Sequence, residues 1–326
     1  MDSGNRSELR ASLTVTNRTP RAGPLMELSP KKQKLTTLLS NETLSRVERM
    51  RLNPNRRKTN RSRGEHLSGK GGTSIEFSDY RDYVAGDDIR YVDWNIFARL
   101  QRPYLKLYRH EEEMNVAILI DASASMNFQD KFERARQLAA AFGLMGLTNN
   151  EKVSVFSCNH AGTTPKMMPP STGRQYRSRL LTFLEGLEPG GDFSVEQAVE
   201  TMLTYHKGKG IAVVLSDFLT FGDIPKAFNM LFSAGLETYG IQLLSPEEID
   251  PELTGDVRFI DCETGTSLDV SSAGDLLGIY HEHRLGLQEH LESTCRKRNG
   301  RFLSFSSADS VETILFENLL RRGWIL

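Results

Sequence analysis

Three oxygen-bearing side chains at alternate positions, Asp121, Ser123 and Ser125, follow directly on an unbroken apolar run, Val116 to Ile120. A carboxylate and two hydroxyls are hard donors. They suit Mg²⁺ or Mn²⁺, ions that keep waters or a partner's oxygen in their remaining positions. Asp and Ser ahead of a helix are also ordinary N-caps, and an Asp-x-Ser triplet by itself reads first as a cap. A second stretch of the same shape shifts the balance. Ile211 to Leu215 is another short apolar run, and it ends in Ser216-Asp217. As neighbouring parallel strands, the two runs would bring Asp121 and Asp217 to one sheet edge, where two carboxylates repel unless a positive charge sits between them.

The elements that must position these groups follow from periodicity. Val116 to Ile120 is short, rich in branched side chains and without helical spacing, so it reads as a buried strand of a parallel sheet. Open α/β sheets hold ligands outside the carboxyl ends of such strands. Downstream, Lys131–Leu147 has helical spacing, Lys152–Cys158 reads as a strand, and Arg174–Leu187 and Val195–His206 read as helices separated by the loop Glu188 to Ser194. A helix near Ile224–Ala234, a strand at Thr238–Leu244, and a hairpin formed by Val257–Ile260 and Ser267–Val270 come next. A long helix over Ala273–Arg298, a strand at Arg301–Phe305 and a closing helix over Ser310–Arg321 complete the chain. This alternation predicts an α/β fold with a doubly wound, mostly parallel sheet.

Upstream the organisation differs. Residues 1 to about 30 are polar and read as disordered, and residues 31–52 carry a partial apolar stripe (Leu35, Leu38, Leu39, Leu44, Val47, Met50) that ends at Asn53-Pro54. From Arg46 to Arg63 the chain is strongly basic, with Glu48 the lone acid. No aromatic residue is interleaved there, so base stacking is unsupported. Such a patch can bind nucleic acid or anionic lipid, or serve as a solvated linker or a tail that docks on an acidic surface. Residues 75–113 interleave aromatics (Tyr80, Tyr83, Trp94, Phe97, Tyr104) with Arg and Asp, the composition of a small subdomain held by aromatic packing and Arg–Asp pairs, or of an interface. The domain reading is thus a basic, disordered or loosely helical region over 1–63, a subdomain over 64–113 and an α/β domain over 114–326.

Composition narrows the function. The 326 residues carry a net charge of -1, which disfavours a general polyanion binder and leaves nucleic acid an unlikely partner. Cys158, Cys262 and Cys295 form no close-spaced pair, so reduced thiols and a cytoplasmic location are expected. No apolar run approaches the ~18 residues of a membrane span, and the first residues lack the apolar core of a signal peptide. The stretch GKGGTS lacks the spacing of a phosphate loop. The histidines are scattered, with His281 and His283 on different sides of a predicted helix, so a zinc site is not expected. No Gly-x-Ser-x-Gly elbow supports a hydrolase triad.

Together, Asp121-x-Ser123-x-Ser125 and the later Asp217 resemble the metal-ion-dependent adhesion site of von Willebrand factor A domains. The segment EFSDYRDYVAGDDIRYVDWNIFARLQRPYLKLYRHEEE resembles the signature of bacterial domain-of-unknown-function family 58 proteins. The resemblance implies a von Willebrand A/Rossmann-like domain preceded by a small aromatic-rich subdomain, no enzymatic activity, a Mg²⁺ or Mn²⁺ ion as docking point, and a MoxR-type AAA+ ATPase as partner. Such domains supply a Thr ligand from the loop before the third helix. Here that loop reads Pro189-Gly190-Gly191-Asp192-Phe193-Ser194, so either Asp192 or Ser194 would take the place of the Thr. The rival is a Mg²⁺-dependent phosphohydrolase of the haloacid-dehalogenase type, which needs a second carboxylate two residues after the first, where this chain has Ser123.

Overall fold

The computed structural model describes residues 35–326 apart from 56–58, 61–74, 112–113, 160–163, 193, 220–221, 253–254, 262–264 and 272–275. The first helix among the described residues is the short α1 (Asn41–Val47). A small antiparallel sheet follows, built from β1 (Thr59–Asn60), β2 (Ile75–Asp82) and β3 (Tyr104–Glu111), with α2 (Trp94–Leu100) between the last two. Next come β4 (Asn115–Asp121), α3 (Lys131–Thr148), β5 (Lys152–Cys158), β6 (Lys166–Ser171), α4 (Arg177–Glu185) and α5 (Val195–Tyr205). Then follow β7 (Gly210–Ser216), α6 (Ile224–Ser233), β8 (Leu236–Leu244) and the one-turn α7 (Pro246–Ile249). A hairpin of β9 (Val257–Ile260) and β10 (Ser267–Val270), α8 (Leu277–Arg296), β11 (Arg301–Ser306) and a π-helical segment, Thr313–Leu319, finish the chain.

β4 lies inside a six-stranded sheet of order β11-β8-β7-β4-β5-β6. All neighbours are parallel except β5 and β6. Its side chains alternate between two cores. Val116, Ile118 and Ile120 pack with α3, α4 and the C-terminal segment on one face, while Ala117 and Leu119 meet α5, α6 and α8 on the other. Burial on both faces is why the run is uniformly apolar rather than alternating. Each fully buried branched side chain contributes about 1.5–3 kcal/mol. The close approach of β7 to β4 demands a glycine: a Cβ on Gly210 would lie 1.8 Å from the Asn115 carbonyl oxygen.

The strand order reverses about β4. The chain passes from β4 to β5 on one side, then returns to place β7 on the other. The crevice of such a sheet opens at that reversal, outside the carboxyl ends of β4 and β7.

Three features depart from the sequence expectations. Residues 35–55, expected to belong to a disordered or loosely helical region, are packed into the domain: Leu38, Leu39, Leu44, Val47 and Leu52 are buried in the main core. Arg51 and Leu326 exchange backbone hydrogen bonds, and Thr36 and Thr37 bond to Glu185. The expected stripe is buried at Leu38, Leu39, Leu44 and Val47 but exposed at Leu35; the short helix covers Asn41–Val47, and Leu38 and Leu39 are buried from the bends before it. Residues 1–34 lie outside the described residues, as does much of the basic stretch. The second departure is β6, an antiparallel edge strand whose Pro169 and Pro170 mask it, prolines being tolerated only where a ladder hydrogen bond can be missing. The third is the closing helix, expected to be regular over Ser310–Arg321 and found π-helical over Thr313–Leu319.

The aromatic segment forms the β2–α2–β3 unit. Asp93 caps α2, accepting from the Asn95 and Ile96 amides, and also receives the Tyr80 hydroxyl and Lys106. Lys106 and the amides hold its carboxyl below the usual range. Arg81 grips Asp87 in a two-pronged pair at 2.7 and 2.8 Å. No helix among the described residues is long and apolar enough to cross a membrane.

Candidate functional site

The register of β4 on β7 pairs Ile120 with Leu215, which leaves Asp121 level with Ser216 at the sheet edge. Asp121 is buried, with 7% of its surface exposed. One carboxylate oxygen accepts from the Ser123 amide at 2.9 Å and the other from the Ser216 hydroxyl at 2.6 Å. Burial, and then the charge of Asp217, push its pKa up to about 6, against the pull of those hydrogen bonds. Such a carboxylate calls for a cation or a proton.

After Asp121 the chain turns through a 3₁₀ segment, Ala124–Asn127, anchored by the buried Met126. The turn holds the Ser123 and Ser125 hydroxyls 2.9 Å apart. Neither hydroxyl makes a helix-capping bond: Ser123 stands at the N-terminal position of the 3₁₀ turn without a side-chain cap bond, and the N-cap position of α3 is Asp130, also without one. The capping alternative for these two hydroxyls is therefore not how this fold uses them.

The loop before α5 is laid against this turn. The Gly190 amide donates to the Ala122 carbonyl at 2.7 Å, and the Ala124 amide donates to the Gly191 carbonyl at 2.9 Å. Gly190 and Gly191 both have positive φ, 143° and 110°, which side chains disfavour and glycine tolerates. Asp192 follows on the exposed side of the loop. Ser194, the other residue expected to replace a Thr, is the N-cap of α5, with its hydroxyl accepting from the Gln197 amide in a capping box.

The principal feature that sequence reasoning missed is Lys131. It is the first residue of α3 and is completely buried. Its ammonium lies 2.8 Å from Asp217 Oδ2 and 2.6 Å from Glu248 Oε1. Burial works against its charge, but the two acids more than offset this and its pKa is raised. The other Asp217 oxygen accepts from the Leu219 amide, and its carbonyl accepts from Gln242. A lysine in the first turn of a helix opposes the helix dipole, and that misfit was a signal available in the sequence. Glu248 was legible only as the acid of a Ser245-x-x-Glu248 capping box, which it also is.

Asp121, Ser123, Ser125 and Asp217 thus converge at the ends of β4 and β7, but the two acids are not equivalent. Asp217 already has a cation, Lys131; Asp121 has only neutral donors. Among the described residues no three His, Cys, Asp or Glu side chains converge as a metal cluster. What remains is one carboxylate and two hydroxyls, a sparse oxygen set that fits a hard dication retaining several waters. Cys158, whose strand pairs it with Asp121, is buried, and its thiol is pushed up to about 12 by burial and by the Asp121 charge. Cys262 lies outside the described residues.

The sequence pattern of the family described as protein of unknown function DUF58 matches residues 79–281. Uncharacterized proteins of Mycobacterium tuberculosis and Mycobacterium bovis are 27% identical over 234 residues, which is 68% of this chain and 72% of theirs. Among solved structures, a conserved hypothetical protein BatB of Bacteroides thetaiotaomicron is similar at 14% identity and a TM-score of 0.39, covering 64% of this chain and 98% of that one. An aerotolerance-related membrane protein of Bacteroides fragilis is similar at 17% identity and a TM-score of 0.40, covering 64% and 99%.

Proposed function

The chain belongs to the family described as protein of unknown function DUF58, and on that footing we propose that it is a non-catalytic docking module whose sheet edge binds a protein partner through a divalent cation. The observation that carries the reading is the asymmetry of the two acids. Lys131 is paired with Asp217 and Glu248, whereas the buried Asp121 has only neutral hydrogen-bond donors and is flanked by the hydroxyls of Ser123 and Ser125. Asp121, Ser123 and Ser125 would hold Mg²⁺ or Mn²⁺, with Asp217 acting through water and Asp192 approaching from its loop. The ion would supply a positive point to which an acidic side chain of the partner binds. Few protein carboxylates on the cation leave it electrophilic enough for that role.

The reading takes the chain as a von Willebrand A-like domain and proposes a MoxR-type AAA+ ATPase as its partner. A cytoplasmic site of action goes with it. Phosphohydrolysis is less well supported. Both oxygens of Asp121 are held by hydrogen bonds, and the position two residues on carries a serine, which has no carboxyl proton to give a leaving group.

The test is a calorimetric titration of Mg²⁺ and Mn²⁺ into the wild type and Asp121→Ala. Saturable binding in the wild type, absent from the variant, is expected. A wild type that takes up neither ion at millimolar concentration sinks the cation reading.

A further inference from the structure

Beside Ser125 lies an apolar groove of about 900 Å³ that the docking reading does not use. Its floor is the turn Ala124–Phe128. Its walls are the β9–β10 hairpin, represented by Phe259 and Ile260, and the start of α8, represented by Ile279 and Tyr280. These side chains are exposed, Ile260 by 67% and Ile279 by 54%. α8 buries only Leu291, Thr294 and Cys295, all near its C-terminal end, so its first turns stand away from the core. Apolar side chains concentrated on one exposed face mark an interaction surface rather than a fold requirement.

The rim has a definite charge. Glu247 is exposed and makes no hydrogen bond or ion pair among the described residues. Asp250 is exposed and meets His281 at 3.5 Å. The nearby Lys131 is held between Asp217 and Glu248, and Arg284 faces Tyr280 from the next turn of α8.

From this apolar floor and acidic rim we infer that the groove receives a protein segment carrying one or two large apolar side chains next to a lysine or arginine. The apolar side chains fill the space between Phe259, Ile260 and Ile279. The basic group pairs with Glu247 or Asp250, and complementarity of this kind fixes orientation and speeds encounter. Because Ser125 lines both the groove and the cation-binding edge, one partner segment spans the two. The inference rests on the docking reading for that continuity, and adds the class of partner: apolar and basic at the groove, with its acid reserved for the cation.

The experiment uses the full-length protein and a phage-displayed library of random peptides, selected in Mg²⁺. An enriched peptide is then synthesised with a fluorescent label and titrated by anisotropy. Enriched sequences pairing Leu, Phe or Trp with Lys or Arg are expected. Ile279→Asp, at an exposed position that leaves the fold intact, should weaken binding on the order of tenfold or more, and Glu247→Lys should weaken it in the same direction. Enrichment of peptides without basic residues, or binding indifferent to Ile279→Asp, overturns the inference. So does a wild-type dimer in sedimentation that Ile279→Asp dissolves, because the occupant is then a second copy of the chain. Binding that survives EDTA and Asp121→Ala but not Ile279→Asp keeps the groove and discards the cation. Binding lost in EDTA yet indifferent to Ile279→Asp does the reverse.

Discussion

Replacing Lys131 with methionine removes the cation on which two acids converge while nearly preserving side-chain length. In the wild type its ammonium, fully shielded from solvent, lies 2.8 Å from Asp217 and 2.6 Å from Glu248. Glu248 is partly exposed and can rehydrate, but Asp217, 1% exposed, cannot. Its carboxylate would be left uncompensated beside Asp121. Removing one partner of a buried pair costs about 3–5 kcal/mol, most of it the penalty of the stranded charge. For a chain of this size that lowers Tm by roughly 2 °C per kcal/mol, so by about 6–10 °C in EDTA. Urea unfolding followed by circular dichroism measures the same loss as a lower midpoint at unchanged slope. Two further results are expected. Asp217→Asn in the Lys131→Met background should recover much of the stability, since the stranded charge is gone. Mg²⁺ should stabilise Lys131→Met more than the wild type, because two carboxylates then face the ion. A loss below about 1 kcal/mol, or a double variant less stable than Lys131→Met alone, would refute the view that Lys131 compensates Asp217.

Asp121 itself should be a stability liability without metal. Its folded pKa of about 6 lies above the ordinary carboxylate value, so the folded state binds the extra proton between about pH 4 and 6 and stability falls as pH rises through that window. Two units correspond to about 3 kcal/mol. Asp121→Asn should remove that slope in EDTA and raise the midpoint near neutral pH, and a wild type equally stable at pH 4.5 and 7 after correction for other groups contradicts it. Ser194→Ala should cost about 1 kcal/mol as a lost helix cap with cation affinity unchanged, whereas Ser125→Ala should weaken cation binding in calorimetry with little effect on unfolding. Gly210→Ala should destabilise by about 3 kcal/mol or prevent soluble expression, because its Cβ would collide with the Asn115 carbonyl. Arg81→Ala, at a partly exposed pair with Asp87, should cost no more than about 1 kcal/mol in urea unfolding.

What the sequence determined by itself was whatever rests on neighbouring residues. The run Val116 to Ile120 announces a strand buried on both faces, because burial on both sides forbids polar alternation. The spacing of Asp121, Ser123 and Ser125 places three oxygens on one turn, and Gly190-Gly191 permits a loop that side chains would obstruct. The hairpin around Gly265 was likewise readable from its turn and flanking strands. The stripe over residues 35–52 pointed to the burial of Leu38, Leu39, Leu44 and Val47, but could not say that the helix would cover only Asn41–Val47 and that non-helical chain before it would bury the first two. Only the tertiary structure decided which charges face one another. Lys131 lies 86 residues from Asp217 and 117 from Glu248, and no local pattern encodes a contact made by three elements closing around one ammonium. The register of β4 on β7 likewise set Ser216, and not Asp217, against Asp121. A strand's own residues prescribe which side chains share a face, whereas the neighbour's alignment, fixed by packing across the whole sheet, prescribes what those side chains meet.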